Sequence, residues 1–266
     1  MRLRGAGYAD RYLKIMNKNK KWLSYNNLAW TELIISSPEE YREEYEILCR
    51  AIIDHSDFKP ETLLHLGCGA GIYDHTFKKY FNVTGVDISN GMLKIARKLN
   101  PEVKYIHGDM QDIRLKSRFD AVAIPDSIGY MTTVKDLRKA INTAYKHLNT
   151  GGILLIVAHM RDNFKENNFV YTGSNKDIKI TIFENNFITK KTNYEATIVY
   201  LIRRKKKLEI YIDKHAIGLF NSTTWNKLLK EKNFSIKKIN AENIYDRFML
   251  QDGDYPQIMF ICKKLK

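Results

Sequence analysis

The sequence predicts an α/β fold: a doubly wound, mostly parallel seven-stranded sheet carrying a small antiparallel β insertion. Three observations predict it. Between 61 and 160, short apolar runs alternate with helical stretches, the pattern of a parallel sheet covered on both faces. Gly67, Gly69 and Gly71 follow the first apolar run directly, where a ligand-binding turn of such a sheet belongs. From about 168 to 220 the pattern changes to segments rich in Ile, Thr, Tyr and Val, separated by polar turns, which reads as antiparallel strands.

In chain order, the first 24 residues are polar, basic and weakly periodic, and read as an arm. Ser37-Pro38-Glu39-Glu40 reads as a capping box with proline at the first helical position. It predicts a helix over about 38–56, with Tyr41, Tyr45, Leu48 and Ile52 on one face. Thr62–Leu66, Val83–Val86, Val103–His107, Phe119–Ile124 and Ile153–Ala158 are the predicted strands that follow. Tyr73–Tyr80, Met92–Leu99 and Val134–Leu148 are the helices between them, the last with Leu137, Ile141, Ala144 and Leu148 in one stripe. Asn149-Thr150-Gly151-Gly152 is predicted to end that helix, because glycine is favoured at helix C-termini. Segments near 178–184, 194–203 and 207–217 form the inserted sheet. Ser222 is predicted to cap a helix through about Lys232, with Trp225, Leu228 and Leu229 inward, and strands near 234–239 and 257–263 close the chain. The resulting division is 1–37 arm and cap, 38–165 core, 166–220 insertion, and 221–266 completion of the core sheet.

The totals set bounds. The 266 residues are 44% apolar, enough for a proper core. The longest apolar runs, such as Ile153–Ala158, are far too short to span a bilayer, and Met-Arg-Leu-Arg-Gly lacks the apolar stretch of a signal peptide. The expectation is a soluble, cytoplasmic protein with no membrane partner. Cys49, Cys68 and Cys262 are odd in number, widely spaced and without a CxxC pair. That excludes a disulfide framework and argues against a Cys-based zinc site, so no metal is expected. The net charge is +14; residues 1–22 hold seven cations and one acid, and Arg203 to Lys207 add a run of five. Such a balance suits an acidic partner such as RNA or a phosphorylated metabolite. The plainer reading is that Lys-rich solvated faces serve solubility.

The most informative stretch is Leu63-Leu64-His65-Leu66-Gly67-Cys68-Gly69-Ala70-Gly71. Glycines between a buried strand and a helix allow a tight turn and let a ligand approach bare backbone. The spacing is GxGxG, whereas the dinucleotide fingerprint requires GxGxxG and Ile72 occupies its third glycine position. Asp87 ends the second predicted strand, where a carboxylate can accept hydrogen bonds from ribose hydroxyls. Asp109 follows the third, where it can accept from an adenine amino group while Met110 packs on the ring.

As a set these motifs resemble the class I S-adenosylmethionine-dependent methyltransferases. Gly67-Cys68-Gly69-Ala70-Gly71 looks like the family's first motif, Asp87 like its ribose-binding acid, and Gly108-Asp109-Met110 like its adenine-side motif. Gly151-Gly152-Ile153 resembles the turn into its fifth strand, and 222–264 its last helix and reversed final hairpin. The resemblance implies a Rossmann-like methyltransferase fold with S-adenosyl-L-methionine as cofactor. It places that cofactor on Gly67, Cys68, Gly69, Gly71, Asp87, Ile88, Met92, Asp109, Met110, Gln111 and Pro125. One departure stands out. The family carries an acid two positions before the first glycine, where it helps hold the methionine end of the cofactor, and this chain has His65. A neutral imidazole can still hydrogen-bond there, whereas a charged one would repel the sulfonium and the amino group.

Methyl transfer is an in-line displacement, for which a protein supplies alignment and a dry pocket. An amine acceptor must also lose a proton, with which a carboxylate, Tyr or His can help. Beyond the fourth predicted strand, Asp126, Ser127 and Tyr130 are the available groups. The loop lacks the Asn/Asp-Pro-Pro-aromatic pattern of amino-methylating nucleic-acid enzymes, and the chain lacks a Pro-Cys nucleophile. The insertion resembles that of amino-sugar N,N-dimethyltransferases and glycine N-methyltransferase-like enzymes. Ser127-Ile128-Gly129-Tyr130 is similar to their loop, in which His often stands where Tyr130 does. His215-Ala216-Ile217-Gly218-Leu219-Phe220 resembles the end of their insert and directs His215 toward the acceptor; Tyr25 and Trp30 resemble the aromatics that close over the cofactor. The leading expectation is N-methylation of a small polar amine, with Tyr130, Asp126 and His215 as catalytic candidates. An O-acceptor of similar size, an RNA methyltransferase using the arm and Arg203–Lys207, and a non-catalytic binding protein that keeps the fold stay open. So does a homodimer.

Overall fold

The computed structural model describes residues 22–241, 248–250 and 255–266; the cations predicted to form the arm before Trp22 lie outside them. Five parallel strands form the centre of the main sheet: β1 Thr62–Leu66, β2 Asn82–Asp87, β3 Lys104–His107, β4 Phe119–Ile124 and β5 Leu148–Ala158. Two further strands, β10 Phe234–Asn240 and β11 Ile258–Lys264, complete it, β11 running antiparallel to both β5 and β10. The order is β10-β11-β5-β4-β1-β2-β3. The chain winds outward from β1 through β2 to β3, then returns to place β4 on the other side of β1. That reversal opens a crevice beyond the carboxyl ends of β1 and β4, where open α/β sheets take ligands.

Strand alternation divides the core into two layers. Leu64, Leu66, Val122 and Ile124 face the helices Val134–His147 and Ser222–Lys230. Leu63, Ala121 and Ala123 face the helices Arg42–His55, Ile72–Phe77 and Asn90–Leu99. Leu63, Leu64 and Leu66 are fully buried, and such a side chain stabilises the fold by about 1.5–3 kcal/mol. β1 is thereby held rigidly at the point where the glycine turn leaves it.

The predicted helices are present, with ends that differ for local reasons. The first begins at Arg42, not 38, because Ser37 Oγ donates to the Glu39 carboxylate at 2.8 Å and does not cap the backbone. The last predicted helix begins at Ser222 with Asn221 as its cap, accepting from Thr224 N at 2.9 Å, and ends at Lys230. Gly151 and Gly152 do not end the preceding helix. That helix stops at His147, and the glycines lie inside the irregular start of β5, with Gly151 at φ +80°.

The insertion is a four-stranded antiparallel sheet in sequential order: β6 Asn167–Ser174, β7 Ile178–Lys190, β8 Asn193–Arg204 and β9 Lys207–Gly218. The sequence pattern identified three of these strands. β6 is rich in Asn and Gly, which disfavour strands, and it is held by pairing with β7 along its whole length. Arg203–Lys207 spans the β8–β9 hairpin turn: Lys205 sits at φ 54°, and Lys207 Nζ lies 3.1 Å from a Glu209 carboxylate oxygen. No helix among the described residues is long and apolar enough to cross a membrane.

Candidate active site

Two cavities adjoin beyond the carboxyl ends of β1 and β4. The larger, of about 390 Å³, runs over the glycine turn; the smaller, of about 180 Å³, lies between the core and the inserted sheet. Tyr25, Asp126, Tyr130, Tyr171, Glu184 and Ile198 line both. These side chains form the junction across which a group could pass from one cavity to the other.

The backbone of the larger cavity is set by glycine. Gly67 stands at φ +74°, and a Cβ there would lie 1.9 Å from Ser127 Oγ. Gly69 stands at φ +54°, and its missing Cβ opens onto nothing within 4 Å. The chain thus keeps bare backbone facing open space at Gly69, a cradle for a ligand. Asp87 shapes the same turn, accepting from Gly69 N at 2.8 Å and Ser89 N at 2.7 Å. Burial raises its carboxyl above the ordinary value, against the lowering effect of those two hydrogen bonds. Asp109 accepts from Gln111 N at 2.8 Å. Ile88, 48% exposed, and Met110 offer apolar surface to the same space.

Of the residues expected to bind cofactor, Tyr25, His65, Gly67, Cys68, Gly69 and Asp87 line this cavity, as do Ile88, Met92, Asp109, Met110, Gln111 and Pro125. Two do not. Gly71 starts the helix Ile72–Phe77 at φ +75°, and its glycine is required by packing, since a Cβ would meet Tyr105 Oη at 2.6 Å. Trp30 turns away and stacks under the Arg204 guanidinium, 4.5 Å from the ring centroid; Trp22 lines the cavity instead. His65 is 1% exposed, its Nδ1 2.7 Å from Asp74 Oδ1, and Tyr105 Oη donates to the other Asp74 oxygen at 2.9 Å. The imidazole is therefore clamped from behind by a buried carboxylate.

At the junction, the three candidates for acceptor chemistry come together. Tyr130 Oη lies 2.7 Å from His215 Nδ1, and His215 Nε2 lies 2.9 Å from Asp213 Oδ2. The same Asp213 oxygen accepts from Ser24 N and Ser24 Oγ, both at 2.8 Å. An anionic Asp213 requires a proton on Nε2, so Nδ1 presents its lone pair to the Tyr130 hydroxyl. Tyr25 and Tyr130 hydroxyls are hydrogen-bonded in turn. The result is a continuous relay from the junction through Tyr130 and His215 to Asp213. Burial raises the Asp213 carboxyl, but the bonds from His215 and Ser24 outweigh it and hold the group below its ordinary value. Burial pushes both tyrosines well above theirs, so the relay is a chain of neutral hydroxyls ending on an ion pair in waiting.

The charge inventory is one-sided. No Lys or Arg among the described residues lines either cavity, although the chain carries 44 of them. Glu32, Asp126 and Glu184 do. Asp126 is open to the cavity space, and desolvation by the protein around that cavity raises its carboxyl, with the nearby His65 partly offsetting this. Burial and the Asp126 charge bring Glu32 up to about 7. Burial also raises Glu184, against bonds from Asn186 Nδ2 at 2.9 Å and from Tyr171. An enclosed, acidic, aromatic-walled space favours a cation.

Sequence reasoning did not reach Asp213, Ser24, Glu32, Glu184 or Tyr171. Asp213 had a legible signal, the i, i+2 spacing to His215 that puts both on one face of a strand. Glu32 and Glu184 had none, since an acid on a short helix or a strand reads as solvated. Asp120 lies at the amino end of β4, away from both cavities, and accepts from Glu61 N, Thr62 N and Oγ1, and Asn149 Nδ2.

Residues 63–152 match the family described as "Methyltransferase domain". Among curated proteins, the chain is 35% identical over 97 residues to a dTDP-3-amino-3,4,6-trideoxy-alpha-D-glucopyranose N,N-dimethyltransferase of Streptomyces venezuelae, covering 36% of this chain and 41% of that one. The chain spans less than half the length of the first curated relatives it matches. Among solved structures, Streptomyces venezuelae DesVI superposes with a TM-score of 0.72 at 20% identity, over 84% of this chain and 92% of that one. SAM-bound CalS10, an amino pentose methyltransferase from Micromonospora echinaspora, gives 0.67 at 17% identity, over 85% and 92%. The chain has the class I methyltransferase fold and resembles the amino-sugar N-methyltransferase branch.

Proposed function

We propose that the chain transfers a methyl group from S-adenosylmethionine to the nitrogen of a small amine. The observation that carries this reading is the junction: two adjoining cavities that share Tyr25, Asp126, Tyr130 and Glu184, with a proton relay ending between them. The larger cavity fits the cofactor. Gly69 leaves room for it, Asp87 and Asp109 offer carboxylates to the ribose and the adenine amino group, and Ile88 and Met110 flank the purine. When bound, the cofactor supplies a methyl carbon activated by a positive sulfur. The residues of this chain do the rest. Glu184 and the tyrosine walls of the smaller cavity hold the amine as a cation. Tyr130 and His215 take the proton that nitrogen must lose, with Asp213 stabilising the imidazolium. Inserted strands and the Trp22–Thr31 segment exclude water.

The absence of Lys and Arg from the described cavity walls also limits the acceptor. An anionic group such as a phosphate would have to lie outside, leaving only the amine-bearing part within. A screen of free amines, amino sugars and nucleotide-linked amino sugars with radiolabelled S-adenosylmethionine tests the proposal. Label should pass to an amine and not to tRNA. Tyr130→Phe should lower kcat about 10²–10⁴-fold, the usual contribution of a positioned proton acceptor, with S-adenosylhomocysteine affinity retained. Full activity in Tyr130→Phe would remove the relay from the mechanism.

A further inference from the structure

The larger cavity has five acids among its described lining residues, and three already accept hydrogen bonds from the protein. Asp87 accepts from two backbone N–H groups, Asp109 from Gln111, and Glu184 from Asn186 and Tyr171. Glu32 and Asp126 have no hydrogen-bonding or ion-pairing partner for their carboxylates among the described residues, and both line the cavity, Glu32 half-buried and Asp126 open to its space. Two carboxylates that line one cavity without a described partner, the Asp126 charge acting on Glu32, are costly to hold there unless a cation joins them. Asp126 follows Pro125 at the carboxyl end of β4, next to the glycine turn. Glu32 begins the short helix Glu32–Ile35, and it lines the larger cavity but not the smaller. The cation it serves is therefore in the cofactor space. Position 65, the family's usual place for this acid, holds an imidazole already clamped to Asp74.

We infer that Glu32 and Asp126 together hold the ammonium group of the cofactor's amino-acid tail, supplying the negative charge that position 65 lacks in this chain. The anchor thus moves from the core strand to a carboxylate contributed by the cap and another contributed by the β4 loop. This assignment rests on the methyltransferase reading. It predicts that Glu32 discriminates ligands by their tail and not by their nucleoside.

Calorimetry with two ligands tests it: S-adenosylhomocysteine, which has the amino-acid tail, and 5′-methylthioadenosine, which has the same nucleoside and thioether without it. Wild type should bind the first more tightly. Glu32→Gln and Asp126→Asn should each lose tenfold or more of the affinity for S-adenosylhomocysteine while keeping that for methylthioadenosine within about twofold. Glu32→Asp, which retains the charge, should recover part of the loss. Equal weakening of both ligands, or no weakening of either, overturns the assignment. Wild-type protein that binds neither ligand refutes the methyltransferase reading itself, whereas wild-type binding with unaltered variants refutes only the role given to Glu32 and Asp126.

Discussion

Glu32 should make the ligand-free protein less stable as pH rises, and Glu32→Gln should abolish that loss. The carboxyl ordinarily titrates near 4.5 and in the folded chain near 7. At about 1.36 kcal/mol per pH unit, this displacement amounts to roughly 3 kcal/mol. The folded-state value is raised, so the stabilising contribution is complete below the unfolded value and is lost as pH climbs through the folded one. Between about pH 5.5 and about pH 8 the loss is roughly 2 kcal/mol. A chain of this size shifts by about 2–4 °C per kcal/mol, so roughly 4–8 °C in Tm is at stake. The charged and titratable neighbours are Asp126, Tyr25, Tyr45 and Tyr200. Only Asp126 is an acid among them, and Asp126→Asn should shrink the same slope. Differential scanning calorimetry of wild type and Glu32→Gln across this range is the assay. The Tm of the variant should exceed that of wild type by an amount that grows with pH. Parallel Tm curves would refute the reasoning, because they would mean that Glu32 titrates normally and faces no enclosed carboxylate.

Glycine and Asp87 substitutions separate architecture from binding. Gly69→Ala meets no atom, so it should cost only about 1–2 kcal/mol of left-handed backbone strain. Its methyl enters the cofactor space, so S-adenosylhomocysteine affinity should fall more than tenfold in the same calorimeter. Gly67→Ala drives a Cβ toward Ser127 Oγ at 1.9 Å and should destabilise by roughly 3 kcal/mol or more in urea unfolding. Asp87→Ala removes the acceptor of two backbone N–H groups as well as the proposed ribose ligand. Stability should fall by about 2–4 kcal/mol and cofactor affinity by about 1–3 kcal/mol; unchanged affinity would count against the assigned pose.

Legibility of the fold followed from how locally each element is determined. Thr62–Leu66 and Phe119–Ile124 are read to the residue, because a short apolar run bounded by polar turns has few alternatives. Gly67 and Gly69 were legible because a tight turn straight after a buried strand needs the left-handed backbone both adopt, φ +74° and +54°. β6 was not, since its Asn and Gly residues gain their stability from β7, which lies ten or more residues away for most pairs. Trp30 was misplaced because an aromatic ahead of the first long helix can turn either way. The Arg204 guanidinium, contributed by the β8–β9 hairpin, decides its direction. Tyr130 and His215 were named separately, and their 2.7 Å contact across 85 residues of chain could come only from the docking of the insertion onto the core.

That division bears on what a likeness to known enzymes can carry. The stretch matching the methyltransferase family, 63–152, holds the glycine turn, Asp87, Asp109, Asp126 and Tyr130. Tyr25 and Glu32 precede it; Glu184, Asp213 and His215 follow it. The matched segment therefore supplies the glycine turn, its acids and the Tyr130 end of the hydrogen-bonded relay, while His215, Asp213 and much of the smaller cavity's wall lie beyond it. Asp213 ties those two together through Ser24 N and Oγ, so the residue that fixes the His215 tautomer also fastens the cap over the cofactor space. Loss of that carboxylate would loosen closure and misdirect the imidazole at once. On the proposed reading, the residues that would choose the acceptor stand on both sides of that boundary: Ile128, Gly129 and Tyr130 within the match, Glu184, Tyr194 and His215 beyond it. On that reading, a relative aligned only over 63–152 shares the glycine turn and its acids but only part of the cavity in which the acceptor would be chosen.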